Sequence, residues 1–412
     1  MNRNRHKDSR DLKIGQLCTC DVENFGDILY PIIFRKLAEK HGVTQTVVPL
    51  GFFQGAAPYT AGFDIRSIST VIRSPKRTLS SLVIGGGDIL RTDVDTLATC
   101  YDSIFENRLH DHLWLRVKER LFGRPHLKRE FIRKFMGYSP IAPFILDGMN
   151  HANIGPIVYC SCGVPFRFAP SQFRAIRAAF EGAAFVHVRD SQSRDKLREA
   201  GVTRDIEVSP DLVVALSDFH DRDEERLKGA ALLASHGVDT TKEIICFQSY
   251  PQPPESEIQI LQQLTALKKK MGAEIVLLPI GYCHGDSLFL KQLAERSGGS
   301  LTYIDTHSVH AMISVIAACN LFIGTSMHGN ITAFSFGIPH LLGPVAADKT
   351  EGFLAVVGLP ADLKLKSWSQ LSDRHAVVTC LPRHYFAARA SAAKKAVHET
   401  FRRMVKILEM PD

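Results

Sequence analysis

Short apolar runs alternate with amphipathic helical patterns along most of this chain, in two consecutive series. Strand–helix–strand alternation implies parallel sheets, because parallel neighbours need a long crossover and strand twist gives that crossover one hand. In the first series residues 13–20 read as a strand. Residues 27–41 read as a helix, with Leu29, Ile32, Ile33 and Leu37 on one face and Gly42 as its stop. Pro31 is expected in its first turn, where a missing N–H costs little. "TVVPL", "SLVIGGG", "PIVYCSCG", "AFVHVRD" and "DIEVSPD" read as further strands, and "SQSRDKLREAG" as a helix capped by Asp190 or Ser191. Residues 218–242 read as a charged, irregular stretch. A second series follows: "EIICFQS", a helix near 255–271, "EIVLLPI", "LTYID", a helix at 309–319 and "LFIGTS". A basic amphipathic helix at 384–408 ends the pattern.

The fold class expected is therefore α/β, with two Rossmann-like domains facing across a cleft and a C-terminal helix. A length of 412 residues suits two domains. The expected spans are 1–217, with a basic helical insertion at about 100–150, and 240–412. Composition, 45% hydrophobic and 23% charged, is ordinary for a soluble globular protein. The start, "MNRNRHKDSRD", lacks the apolar region of a signal peptide, and runs such as "EIVLLPIGY" fall short of the ~18 residues that span a bilayer. A cytoplasmic location is expected. The nine cysteines include C-x-C pairs at Cys18/Cys20 and Cys160/Cys162. At period 2 each pair faces one side of a strand, and without a C-x-x-C knuckle buried thiols are expected rather than a metal site.

The net charge of +7 is uneven. Between Arg108 and Lys134 nine Lys/Arg stand against three acids, interleaved with Trp114, Leu121, Phe122 and other apolar residues. The segment reads either as a solvated helical insertion or as a surface for anionic lipid or a lipid-linked substrate at the inner face of a membrane. No nucleic-acid motif accompanies it, so nucleic acid is not an expected partner.

Ligands of open α/β sheets bind beyond the carboxyl ends of strands, and polar constellations fall there. "NFGD" runs from Asn24 to Asp27. Gly26 permits a tight turn, and Asp27 either caps the helix or contacts substrate. "GGGD" comprises Gly85, Gly86, Gly87 and Asp88, a plain turn or a loop open to close approach by a ligand. It is neither a dinucleotide fingerprint nor a phosphate-binding P-loop. Arg189 of "VRD" closes a strand just before a helix, placed either for an anion or for a salt bridge to Asp190 or Asp195. His328 of "GTSMHGN" lies between an apolar strand and a helix, beside Gly324 and Gly329, as a packed side chain or a proton carrier. Asp211 is a fifth polar group at a strand end and reads as structural.

Taken in order, "NFGDIL", "LVIGGGDIL", "VRDSQSRDKLREAGV", "VSPDLV" and "IGTSMHGNITAFSFGIPHL" resemble the polysaccharide pyruvyl transferase family over about residues 13–345. The resemblance implies a GT-B-like architecture and transfer of pyruvate from phosphoenolpyruvate to a sugar, as a ketal across two hydroxyls of an exopolysaccharide or lipid-linked oligosaccharide. It implies His328 as general acid/base and Asp27 as an acceptor contact or a loop anchor. Arg189, Ser326 and Gly329 would hold the donor. Asn24, Gly26, Gly85, Gly86, Gly87 and Asp88 would form the loops on the acceptor side. No cofactor beyond the co-substrate phosphoenolpyruvate and no metal are implied.

One position departs from the family. Many members carry arginine where Ser326 stands. Either another cation serves, with the basic insertion, Arg91 or Arg167 as candidates, or Ser326 and backbone amides suffice, or the donor differs. The competing readings are a glycosyltransferase using a nucleotide sugar and a non-catalytic glycan-binding member.

Overall fold

A computed structural model describes residues 12–53, 64–91, 97, 113–124, 126, 127, 130, 143–146, 154–345, 349–382 and 384–409. The polar start, the side chain of Arg91 and most of the basic insertion lie outside the described residues. The chain forms two compact units. Described residues of Met1–Val22, Ala38–Val208 and Arg402–Asp412 make one, and Glu23–Leu37 with Ser209–Phe401 makes the other.

The first unit holds strands β1 (Lys13–Leu17), β2 (Val47–Gly51), β3 (Arg66–Ser67), β4 (Leu79–Gly87), β5 (Ile157–Cys162), β6 (Phe185–Val188) and β7 (Glu207–Val208). They pair in parallel in the order β3-β2-β1-β4-β5-β6-β7. The second unit holds β8 (Ile244–Gln248), β9 (Glu274–Leu277), β10 (Thr302–Tyr303), β11 (Leu321–Gly324) and β12 (His340–Leu342), parallel in the order β10-β9-β8-β11-β12. β5, β8 and β11 are buried along their whole length, as expected of parallel strands covered on both faces. Strand order reverses between β1 and β4 in one sheet and between β8 and β11 in the other. The carboxyl ends of strands at such a reversal are where this class of sheet binds ligands. The α/β class with two parallel sheets, expected from the alternation, is the architecture observed.

Four local expectations are corrected. The first helix is Phe25–Lys40, so Asn24, not Asp27, is its cap, and Gly26 N–H donates to Asn24 Oδ1 at 3.3 Å. Pro31 consequently falls in the second turn, where it cannot donate to the carbonyl of Asp27 four residues back. β1 ends at Leu17, which leaves buried Cys18 and Cys20 in a turn rather than on a strand.

The fourth concerns 218–242, which is not irregular. Arg222–Ser235 is a helix whose Asp221 side chain accepts from the N–H of Asp223 and Glu224. The face it buries carries Glu225, Gly229 and Leu233, so the sequence shows no apolar period, and a Cβ on Gly229 would lie 2.0 Å from the Ser314 carbonyl oxygen. A small residue there lets this helix pack closely on the helix Val309–Ala318.

No helix among the described residues is long and apolar enough to cross a membrane. No group of three or more His, Cys, Asp or Glu among them is placed to hold a metal ion.

Candidate functional site

His328 is placed by the end of β11. The strand stops at Gly324, and Ser326 caps the helix Met327–Ser335 by accepting from Gly329 N–H at 3.2 Å. A hydroxyl can accept this bond and a guanidinium cannot, so Ser326 has a local task. Asn330 ties the turn shut, its Nδ2 donating to the carbonyls of Gly324 (2.9 Å) and Ser326 (2.8 Å). His328 is left in the first turn, 9% exposed.

Two other sequence motifs of the second unit meet this imidazole. A Cβ on Gly26 would lie 2.0 Å from His328 Nδ1 and 2.5 Å from Cγ. Gly26 is not among the residues of positive φ. Its glycine is therefore needed for close approach to the ring and not for a turn. On the other edge His328 Nε2 lies 3.8 Å from Asp211 Oδ2, beyond hydrogen-bond length but within electrostatic reach. Asp211 also caps the 3₁₀ segment Leu212–Asp218, its Oδ1 accepting from Val213 N–H at 3.0 Å. It thus has the structural role expected and faces the histidine as well. Gly329 packs where a Cβ would come within 2.5 Å of Phe322, so it brings the helix close to the sheet.

The residues that hold this arrangement were not singled out from sequence. Gln248, the last residue of β8, accepts from Ser326 N–H at 2.7 Å and donates through Nε2 to Asp286 Oδ2 at 2.6 Å. The same carboxylate oxygen accepts from Gly281 N–H (2.8 Å) and Ile280 N–H (3.4 Å). Ile280 in turn accepts from Phe25 N–H at 3.0 Å, beside Gly26. Asp286 therefore braces both neighbours of His328. Its one sequence signal, a glutamine ending the apolar run "IICFQ", marks its partner Gln248.

Burial pushes the Asp286 carboxyl up from its ordinary 3.8 to about 6, against the bonds from Gln248, Gly281 and Ile280. A raised carboxyl favours the protonated native state. Its contribution to stability is full below about pH 4 and is lost as pH rises through about 6. Asp286→Asn, which does not titrate, should remove that loss. Urea unfolding of both proteins across this window checks it, and a wild-type-to-variant difference that is constant with pH would rule it out.

The first unit carries a second group. Gly86 and Gly87, at φ of 87° and 83°, turn the chain at the end of β4 and present Asp88. Asp88 forms an ion pair with Arg189 at the end of β6. Of the two sequence readings of Arg189, an anion site or a salt bridge to Asp190 or Asp195, the structure shows an ion pair, but with Asp88. Asp190 Oδ2 is 3.9 Å from Arg189 Nε while Asp190 Oδ1 caps the following helix, and Asp195 pairs with Arg194. Arg189 is 5% exposed, and burial of this kind requires a paired charge. Gly163, missed in the sequence, makes room: a Cβ there would lie 2.4 Å from Asp88 Oδ1 and 2.8 Å from Arg189 Nε. Just before it, Ser161 adopts φ 53° in an irregularity of β5, its N–H donating to His187 Nδ1 at 3.1 Å. Such irregularities re-aim the end of a strand.

Asn24, Gly26 and Asp27 thus belong with Ser326, His328 and Gly329 in the second unit, and Gly85, Gly86, Gly87 and Asp88 with Arg189 in the first. Arg167, a candidate replacement cation, is exposed and lies 3.4 Å from Glu199. The chain matches the family described as polysaccharide pyruvyl transferase over residues 24–342. No protein of curated function matches it. Among solved structures it is similar to the UDP-GlcNAc 2-epimerase of Neisseria meningitidis bound to UDP-GlcNAc (TM-score 0.55, 11% identity, 96% of this chain and 100% of that one). It is also similar to the UDP-N-acetylglucosamine 2-epimerase of Rickettsia bellii (0.54, 10%, 97% and 97%). A variant of the wall teichoic acid polymerase TagF compares at 0.50, with 8% identity over 97% and 88%. These likenesses are of fold: the neighbours are GT-B-like glycosyltransferases and epimerases.

Proposed function

Because the chain belongs to the polysaccharide pyruvyl transferase family, we propose that it transfers pyruvate from phosphoenolpyruvate to a sugar of an exopolysaccharide or lipid-linked oligosaccharide, closing a ketal. The observation that carries this reading is the setting of His328: a nearly buried imidazole at a strand end, lodged against Gly26 and facing a carboxylate. Histidine titrates near neutrality, so it can both give and take a proton.

In this reading His328 delivers a proton to the methylene carbon of the enol. The adjacent carbon becomes electron-poor, and a sugar hydroxyl attacks it and releases its own proton. The carbon–oxygen bond to phosphate then breaks, and phosphate leaves with the electron pair. A second hydroxyl of the same sugar closes the ketal, and its proton balances the departing phosphate. The donor carries a carboxylate and a phosphate, so the reading needs cations or backbone N–H groups. Ser326 and Gly329, in the same unit as His328, are the residues assigned to the donor's anion. Asp27 is assigned to the acceptor.

Phosphate release tests the proposal. Purified protein with phosphoenolpyruvate and a panel of glycan acceptors should release phosphate only when a suitable acceptor is present. Release with none of them, alongside a rise in melting temperature with a nucleotide sugar, would favour glycosyl transfer instead.

A further inference from the structure

We propose that the helix Leu113–Phe122 is a docking surface for an anionic membrane. Val117, Leu121 and Phe122 on this one short helix are 53%, 70% and 60% exposed. The other exposed large hydrophobic side chains, Phe166, Leu227, Tyr250, Ile258 and Leu288, stand singly along the described chain. Isolated exposure is ordinary on a protein surface, whereas a cluster marks a contact surface. Val117 and Leu121 are one turn apart and share a face, and Phe122 adjoins them.

The same stretch is basic. Arg120 and Arg124 are exposed, and Lys118 stands among the apolar side chains. Lys118, half-buried, pairs with exposed Glu130 at 3.1 Å, and a pair at the surface is weak and screened. His126, also exposed, sets its ring beside that of Phe122 at 5.8 Å between centroids. Across residues 108–134 the balance stays at nine Lys/Arg against three acids.

Adjacent apolar and basic side chains fit a lipid surface better than the alternatives. The boundary between headgroups and acyl chains accepts Val117, Leu121 and Phe122 while anionic headgroups meet the basic residues, whose long stems reach outward. Phosphate backbones of nucleic acid offer the apolar side chains nothing. The contact proposed is peripheral, made by side chains of this helix. The inference does not depend on the reading of His328.

The test is flotation of the full chain with vesicles of phosphatidylcholine alone or with phosphatidylglycerol added. Binding should be at least ~tenfold stronger to the anionic vesicles, since each basic residue near such a surface contributes roughly fivefold. It should weaken as salt shortens the screening length from about 10 Å at 0.1 M to about 3 Å at 1 M. Leu121→Asp with Phe122→Asp, and separately Arg120→Glu with Arg124→Glu, should each lower binding about tenfold or more without changing the melting temperature. Equal binding to both vesicle types, no binding to either, or variants that bind like wild type would overturn the proposal. So would a dimer in light scattering that the Leu121→Asp, Phe122→Asp protein loses while vesicle binding is absent, which would assign the patch to a second copy.

Discussion

His328→Ala should lower acceptor-dependent phosphate release by about 10²–10⁴-fold, the range contributed by a positioned acid/base, and leave the fold intact. The loss should appear in kcat, because the proton is needed in the transition state and not to bind the donor. The fold should survive because what shapes this corner lies elsewhere: Ser326 caps the helix, Asn330 closes the turn, and Gln248 and Asp286 hold the strand ends. Asp211 keeps its bond from Val213 N–H when the imidazole is removed. Phosphate assays paired with urea unfolding separate the two effects. Full activity in the variant would remove His328 from the mechanism, and a large stability loss would make it a packing residue. His340 shows what a packed histidine looks like in the same unit. It lies fully buried beside Phe334, Phe353 and Phe386, and burial pulls it down to about 4.

Gly26→Ala should cost about 10²-fold in turnover, although no reacting group is removed. Alanine favours a helix over glycine by about 1 kcal/mol, and Gly26 has no positive φ that alanine would strain. Local propensity alone would expect a more stable protein with unchanged activity. The tertiary contact says otherwise. The new methyl would lie 2.0 Å from His328 Nδ1, far inside the ~3.5 Å of ordinary contact, so the ring must move. Crowding of this kind typically costs about 1–3 kcal/mol, which offsets the helical gain and leaves stability near wild type or modestly lower. Turnover and melting temperature measured on one preparation decide the matter. Wild-type turnover would mean that the imidazole does not act from this position.

Much of the candidate site could be seen before the fold. His328, Arg189, Asp211 and the "NFGD" and "GGGD" loops all stand where an apolar strand gives way to a helix, and that transition is written in a few adjacent residues. Their partnerships were not. Arg189 reads in the sequence as placed for an anion or for a salt bridge to a near neighbour, and it reaches Asp88 because β4 and β6 flank β5 in one sheet. Gly26 looked like a turn glycine and proves to be a clearance for an imidazole. The helix Arg222–Ser235 is hidden in the sequence because its buried face carries Glu225 and Gly229 beside Leu233, and the reason for the glycine lies on another helix.

The α/β class, the two parallel series and the order of the strand-end motifs are legible in the amino-acid sequence. Those features follow from periodicities of two and 3.6 residues and from turn chemistry, which act over a handful of neighbouring residues. Long-range packing alone makes Asp286, through Gln248 and the Ile280–Gly281 backbone, brace both sides of His328, and makes Gly163 the clearance for the Asp88–Arg189 pair. Such contacts join the carboxyl ends of strands far apart in the chain. Strand order and register create them, and no local propensity encodes them.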